Sequence, residues 1–135
     1  MRCLLTFVVL IISALPIKAQ ERRALLIGNQ AYAREVGALA NPINDVNLVA
    51  ASLRQIGFSN RNISIVKNGD RRTILRAIDR HAKALKASGP NAVGFLYYSG
   101  HGAANNQNRR NYLIPVGVKR LEADVWYDSM PLDDI

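Results

Sequence analysis

The sequence predicts an α/β domain with a largely parallel sheet. Three short apolar runs, typical of buried strands, alternate with two segments whose apolar residues recur at helical spacing. The order strand–helix–strand–helix–strand favours parallel strands joined by right-handed crossovers, with helices on both faces of the sheet. A length of 135 residues suits one domain with a hydrophobic core of its own.

The first strand and the first helix are expected between residues 23 and 57. The apolar run from Arg23 to Gly28 predicts a buried strand. Asn41 is predicted to cap the helix, since asparagine is a favoured N-cap residue. Pro42 suits the first helical position, where an N–H group would have no partner. Gly57 is predicted to end the helix in the left-handed conformation. The residues expected on the buried face are Val46, Val49, Ala50, Leu53 and Ile56.

The second strand and the second helix follow the same pattern. Residues 63–66 predict the strand, and Asn68-Gly69-Asp70 predicts a turn. Asp70 is expected to cap a helix that extends to about Lys86. The residues expected on the apolar face of this helix are Ile74, Leu75, Ile78, Ala82 and Leu85.

The third strand is predicted over residues 92–98, after a break at 88–91. A polar loop is expected over 103–111, and residues 112–115 predict another short extended piece. Residues 132–135 predict the first turn of a further helix.

The segment Ser99-Gly100-His101-Gly102 directly follows the third predicted strand. Catalytic and ligand-binding groups of parallel α/β sheets lie beyond the carboxyl ends of the strands. A histidine there can act as a general base near neutral pH, and the N–H of Gly102 can donate to a developing oxyanion. A tight turn with a surface histidine explains the same residues equally well.

Six ordered motifs extend over most of the chain. They are Ala24–Asn29 followed by Tyr32, Leu39–Asp45, Leu53–Phe58, Phe95–Gly102, Asn111–Val116 and Leu132–Asp134. Through these motifs the chain resembles the N-terminal, p20-type part of the caspase-like family (peptidase C14), which includes caspases, metacaspases and their bacterial relatives. The resemblance implies a three-layer α/β/α fold and a cysteine-type endopeptidase activity.

The resemblance also implies roles for three residues. His101 matches the catalytic histidine, and Gly102 matches the residue whose backbone N–H helps to form the oxyanion hole. Asp45 matches an acidic residue that, in metacaspase-like members, lines the pocket for a basic P1 side chain, which favours cleavage after Arg or Lys. As a residue, Asp45 is equally explained as a first-turn acid that complements the helix dipole, and the two roles are compatible.

The nucleophilic cysteine is absent from the matching part of the sequence. In caspases the histidine precedes the cysteine by about 50 residues, which places the nucleophile beyond Ile135, while the only cysteine here is Cys3. One explanation is a fragment that lacks the C-terminal part of the fold and is inactive as it stands. The other is a non-catalytic caspase-fold module that binds peptides or proteins. The end of the chain inside a predicted helix start favours the fragment, and a sheet without further strands is expected to expose an apolar edge.

Residues 1–19 have the layout of a secretory signal peptide, with Arg2 followed by an apolar run from Leu4 to Leu15. An N-terminal strand and an uncleaved anchor are the alternatives. Cleavage predicts an exported protein, periplasmic or extracellular, that consists of residues 20–135 and has no stable membrane span.

The chain is basic, with a formal net charge of +8. Two of these charges, Arg2 and Lys18, lie in the first 19 residues, which hold no acid and leave +6 on the remainder. The arginine pairs are separated along the chain and favour a solvated basic surface over nucleic-acid binding. The resemblance to the caspase-like family implies a polypeptide substrate or another protein as the partner.

No cofactor or metal is predicted from the residues. Calcium occurs among the relatives that the resemblance implies, but the sequence has no dense acidic cluster. His81 is expected to be a surface or helix-packing residue.

Overall fold

The structure is a computed structural model, and it describes residues 20–120 and 125–135. The predicted signal peptide lies outside the described residues. The elements are β1 (Arg22–Gly28), α1 (Pro42–Gln55), β2 (Ile63–Lys67), α2 (Arg71–Ala87), β3 (Val93–Ser99), β4 (Gly102–Asn105), β5 (Arg110–Leu113), α3 (Val125–Asp128) and β6 (Met130–Pro131). Short 3-10 helices occupy Asn60–Asn62 and Leu132–Asp134.

The main sheet is parallel and has the strand order β2-β1-β3. Strand β1 lies in the centre, where Leu25 faces Ser64 on one side and Leu96 on the other. All three strands therefore end at the same edge of the sheet, which confirms the predicted parallel arrangement.

The hydrophobic core lies on both faces of β1, because alternate side chains of a strand point to opposite faces. Ala24 and Leu26 pack against α1, whereas Leu25 and Ile27 pack against α2. The result is three layers, helix on sheet on helix, as the sequence predicted.

The boundaries of the helices match the prediction, but some of their details do not. Asn41 precedes α1 with helical dihedrals and no capping hydrogen bond from its side chain, so its predicted capping role is wrong. Ile56 lies after the last helical residue and is 61% exposed, so it does not belong to the buried face. Gly57 has a φ of +94° and Asp70 accepts a hydrogen bond from Thr73 N at 2.7 Å, which confirms both predicted helix ends.

The buried face of α2 is shifted from the expected one. Ile74 is buried as predicted, but Ala82 is exposed and Ala77 is buried in its place. Positions 74 and 77 are three residues apart and lie on the same side of the helix, towards Leu25 and Ile27.

The expected polar loop at 103–111 is wrong, because most of it forms an antiparallel hairpin of β4 and β5. A second small sheet, with the order β4-β5-β6, is completed by Met130 and Pro131. The sequence hid this hairpin because its strands are four residues long and contain no β-branched residue. The predicted helix start near the end is a single 3-10 turn.

The expected open edge of the main sheet is confirmed at β3, which has no strand beyond it among residues 20–120 and 125–135. Its side chains Val93, Phe95 and Leu96 are partly exposed. Within the same ranges, no helix combines the length and the apolar character needed to cross a bilayer.

Candidate active site

His101 lies in the short turn between two strands, since β3 ends at Ser99 and β4 begins at Gly102. This position is the carboxyl edge of the main sheet, where the sequence predicted it. The loop after β1 reaches the same edge, because β1 ends beside β3 and Gly28 faces Ser99. The imidazole is half-buried beside the ring of Tyr32, with ring centroids 4.6 Å apart.

One contact fixes the protonation pattern of the imidazole. The Nε2 atom of His101 lies 2.8 Å from the carbonyl oxygen of Gly37. A carbonyl oxygen only accepts hydrogen bonds, so Nε2 carries the hydrogen and donates. In the neutral imidazole the lone pair is then on Nδ1, which makes Nδ1 the basic atom.

The loop that presents the Gly37 carbonyl is itself held in place. Gly37 has a φ of +91°, a conformation that favours glycine, and its N–H donates to Ala33 O at 2.9 Å. Leu39 N donates to Gln30 O at 3.0 Å and closes the loop. The carbonyl is therefore positioned by backbone hydrogen bonds.

Two tyrosine hydroxyls hold the backbone of His101. The N–H of His101 donates to Tyr32 Oη at 2.9 Å, and the hydroxyls of Tyr32 and Tyr98 are 3.1 Å apart. Both hydroxyls lie within hydrogen-bond distance of Ile114 O, at 2.9 Å and 2.6 Å. Burial raises the pKa of both tyrosines, so both keep their proton near neutral pH and remain able to donate.

Gly100 makes room for this pair of hydroxyls. A Cβ atom at Gly100 would lie 2.6 Å from Tyr32 Oη and 2.6 Å from Tyr98 Oη. Both distances are far below ordinary contact, so a side chain here would displace at least one hydroxyl. The glycine before the histidine is thus required by packing at this position.

The N–H of Gly102 points away from the hairpin partner strand. Facing residues of an antiparallel pair alternate between pairs that exchange hydrogen bonds and pairs that do not. Ile114 N donates to His101 O at 3.0 Å, so the next pair, Gly102 and Leu113, falls on the position without exchange. This direction leaves the exposed Gly102 N–H facing the outside of the hairpin, as an oxyanion donor requires.

Asp45 lies in the first turn of α1 and is half-buried. Its Oδ2 accepts a hydrogen bond from Ser99 Oγ at 2.8 Å, which brings the start of α1 to the end of β3. Ser99 is therefore turned to Asp45 and not to His101. This contact uses one carboxylate oxygen, and the other accepts no hydrogen bond within residues 20–120 and 125–135.

Asn29 stabilises the carboxyl edge of the main sheet through its side chain and its backbone. Its buried side chain donates to Gly69 O at 3.2 Å and accepts from Gly69 N at 2.8 Å. Its backbone N–H donates to Ser99 O at 2.9 Å. Asn29 thereby links the ends of β1 and β3 to the turn before α2.

Sequence reasoning missed Gly37, Tyr98 and the part that Tyr32 plays. Both tyrosines belong to the motifs that carry the family resemblance. The signal that could have identified them is Gly100, whose missing side chain leaves room for their hydroxyls. Nothing in the residue pattern singles out the carbonyl of Gly37, since any residue has one. His101, Gly102 and Asp45 do lie at one edge of the sheet, and their catalytic roles stay predictions. No group of three or more His, Cys, Asp or Glu suited to a metal ion occurs in the described part of the chain.

Comparison with known proteins agrees with this architecture. The family model of the caspase domain matches residues 21–132. Metacaspase-1 of Candida albicans is 37% identical over 121 residues, and Metacaspase-1 of Lodderomyces elongisporus is 35% identical over 121 residues. Each alignment covers 83% of this chain and 25% of the relative, so the chain spans about a quarter of the length of these relatives. With this family match and a parallel sheet between two helical layers, the chain belongs to the caspase-domain family of peptidases.

Proposed function

We propose that this domain is the histidine-bearing part of a cysteine endopeptidase, with His101 as the general base. The observation that carries the proposal is the contact of His101 Nε2 with Gly37 O, because it leaves the Nδ1 lone pair to accept a proton. The caspase-domain match supports the class of reaction.

In this proposal Nδ1 of His101 takes the proton of a cysteine thiol, and the thiolate bonds to the carbonyl carbon of the scissile peptide. The Gly102 N–H donates to the oxyanion that forms. The C–N bond then breaks as His101 returns the proton to the leaving amine, and water hydrolyses the thioester.

The proposal assigns the nucleophile to polypeptide outside these 135 residues. The only cysteine here, Cys3, stands at the far end of the sequence from the site residues. A thiolate is needed for the covalent route, and Ser99 is engaged with Asp45. We therefore expect the 135-residue chain by itself to have no peptidase activity.

Asp45 is proposed to select a basic P1 side chain. Ser99 fixes the carboxylate at the edge of the sheet, and its free oxygen suits a guanidinium or an ammonium. Calorimetry with an arginine-containing peptide tests this role against the same peptide with neutral citrulline. Asp45→Asn should weaken binding of the arginine peptide about tenfold, the usual loss for a charged hydrogen bond, and leave the citrulline peptide unchanged.

Asp79→Asn is the matched control for Asp45→Asn, since it removes the same charge from an exposed position on α2. Equal losses in the two variants would mean that the general charge, and not a pocket, attracts the peptide.

The catalytic proposal is tested on the natural product of the gene and on this chain. An arginine peptide with a thiol-reactive group should label the natural product, and His101→Ala should weaken that labelling. Turnover of an Arg or Lys peptide by the 135-residue chain, lost in His101→Ala, would show that the expected inactivity is wrong.

A second function is a caspase-fold module that binds peptides without cleaving them. It is favoured by the absence of cysteine from residues 20–135. The intact mass of the natural protein separates the two: a mass no larger than that of these residues supports the binding module, and a larger mass supports the peptidase.

A further inference from the structure

A cavity of about 250 Å³ lies between β2 and α2, and its lining extends from Arg23 near the start of β1 to Val66 near the end of β2. Arg23 near the start of β1 and Asn62 just before β2 line it, together with the second half of α2. Because the strands are parallel, their starts lie together at the amino edge, whereas His101 follows the carboxyl edge. None of the lining residues belongs to the candidate active site, so the cavity is separate from it.

The cavity exists because small residues occupy its floor. Ala77 and Ala84 face it from α2, and Ser64 faces it from β2. The interface between a helix and a sheet is normally filled to the density of an organic crystal. Larger side chains at these three positions would fill the space, so the sequence itself leaves it open.

The lining carries an excess of positive charge. Arg23, Arg61 and Arg80 contribute guanidinium groups, His81 contributes an imidazole, and no Asp or Glu lines the cavity in the part of the chain that the structure describes. Residues 77, 80, 81 and 84 recur at helical spacing, so α2 presents Arg80 and His81 on the same side as its two alanines.

The cations of this cavity influence one another. Burial first, and then the positive charge of Arg23, lower the pKa of His81. The carboxylate of Glu21 lies 3.4 Å from Arg23 and also accepts a hydrogen bond from Asn62. One shared carboxylate leaves most of the local positive charge without an anion.

We propose that this cavity binds the phosphate group of a small ligand. Guanidinium groups offer planar pairs of N–H donors that match two oxygens of a phosphate. Three of them line the cavity, and Arg23 is already bound to Ser88 and Glu21, which leaves Arg61 and Arg80 as the main phosphate ligands. The cavity volume is several times the volume of about 30 Å³ that one water molecule occupies in the liquid. A phosphate group therefore fits together with water molecules that hydrate it. The same chemistry serves free phosphate and a phosphate headgroup of a lipid.

Calorimetry on the full chain with inorganic phosphate and with pyrophosphate, at constant ionic strength, tests the proposal. We expect saturable binding to one site, weakened about tenfold in Arg61→Gln and in Arg80→Gln, the loss typical of one charged hydrogen bond. Both residues are exposed, so neither substitution should affect folding. Arg76→Gln is the matched control on the same helix, outside the cavity, and should change the affinity less than twofold.

A second variant separates the cavity from the charge. Ala84→Leu fills the cavity and keeps every charge, and we expect it to abolish binding. Unchanged binding in Ala84→Leu, or an equal loss in Arg76→Gln, would overturn the proposal in favour of general electrostatic attraction.

Vesicles distinguish the source of the phosphate. Binding to vesicles with phosphatidic acid, but not to phosphatidylcholine alone, with the same loss in Arg61→Gln and Ala84→Leu and none in Arg76→Gln, identifies a lipid headgroup. Binding of soluble phosphate with that pattern identifies a free ligand. Saturable binding in neither arm would overturn the proposal.

Discussion

Strands β1 and β3 lie side by side along all seven residues of β1, yet their surroundings differ. Residues 24–27 of β1 are fully buried between two strands and two helices. In β3, Val93, Phe95 and Leu96 are partly exposed, because β3 has a strand on one side only. Burial in this sheet therefore depends on the position of the strand more than on its composition.

The carboxyl end of β3 departs from the rest of that strand. From Tyr97 to Gly100 the residues are half-buried. Tyr97 packs against the core on the α1 side of the sheet, and Ser99 donates a hydrogen bond to Asp45 of that helix. The hydroxyl of Tyr98 contacts Tyr32 in the loop after β1 and the carbonyl of Ile114 directly after β5. The candidate site therefore lies at the end of β3, where this otherwise exposed strand contacts α1, the loop after β1 and the segment after β5.

The comparison predicts very different costs for the same substitution in the two strands. Leu25 and Leu96 are partners in register, with exposed fractions of 0% and 43%. Leu25→Ala should lower the free energy of unfolding by about 2–5 kcal/mol, because it leaves a cavity in the core. Leu96→Ala should cost about 1 kcal/mol or less, since much of its surface already contacts water. Urea unfolding of the full chain measures both.

Similar losses in the two variants would break the comparison, because they would mean that β3 is covered in solution. Unfolding at two protein concentrations then distinguishes the explanations. A concentration-dependent midpoint for the unsubstituted chain would assign the cover to self-association.

A second prediction concerns the packed end of β3. Gly100→Ala should cost about 1–3 kcal/mol, as overpacking usually does, because its Cβ would lie 2.6 Å from two tyrosine hydroxyls. Gly102→Ala is the control, since its Cβ would approach Tyr112 O no closer than 3.4 Å. The measurement is the urea midpoint, together with the NMR shift of the His101 amide, which donates to Tyr32.

Removal of the two hydroxyls should relieve part of the strain, since Tyr98 Cζ would still lie 2.8 Å from the new Cβ. In a chain with Tyr32→Phe and Tyr98→Phe, Gly100→Ala should cost less than in the unsubstituted chain, because such coupled residues are not additive. An unchanged cost would mean that the hydroxyls contribute nothing to the strain at Gly100.

Much of the main sheet and its helices could be predicted from the sequence, because each element carries a strong local signal. The Gly57 and Asp70 helix ends and the apolar run of β1 depend on neighbouring residues only. The position of His101 beyond β3 follows from the order of the elements. The contact of Ser99 with Asp45 was not predicted, since the residues are 54 positions apart.

The remainder depends on tertiary contacts that local patterns do not report. The hairpin of β4 and β5 has short strands without β-branched residues, and the exposed half of β3 is mostly apolar, as the core strand is. His81 is half-buried on α2, in keeping with the expected surface or helix-packing position, but the cavity beside it, lined with arginines from three elements, was not predicted. The arginines come together only in the folded chain, because they lie on β1, before β2 and on α2.

The amino edge yields the smallest predicted effect, a pH dependence at His81. The charged groups that face it are Arg23 on β1, Arg61 before β2 and Arg80 on α2, with Glu21 bound to Arg23. Burial and Arg23 lower the pKa of His81 below its value in the unfolded chain, about 6.5. The unfolded chain then binds the proton more tightly, so stability is unaffected above that pH and falls as the pH drops through the window below it.

The difference in unfolding free energy between the unsubstituted chain and His81→Gln isolates this effect, because the carboxylates common to both cancel. Since the imidazole is partly exposed, solvent screening should keep the change to about 0.5 kcal/mol or less between pH 7.5 and 5.5. A difference that is constant with pH, or that grows in favour of the unsubstituted chain on acidification, would contradict the lowered pKa. With inorganic phosphate bound, the change should shrink or reverse, because an anion among the three arginines offsets their repulsion of the protonated imidazole.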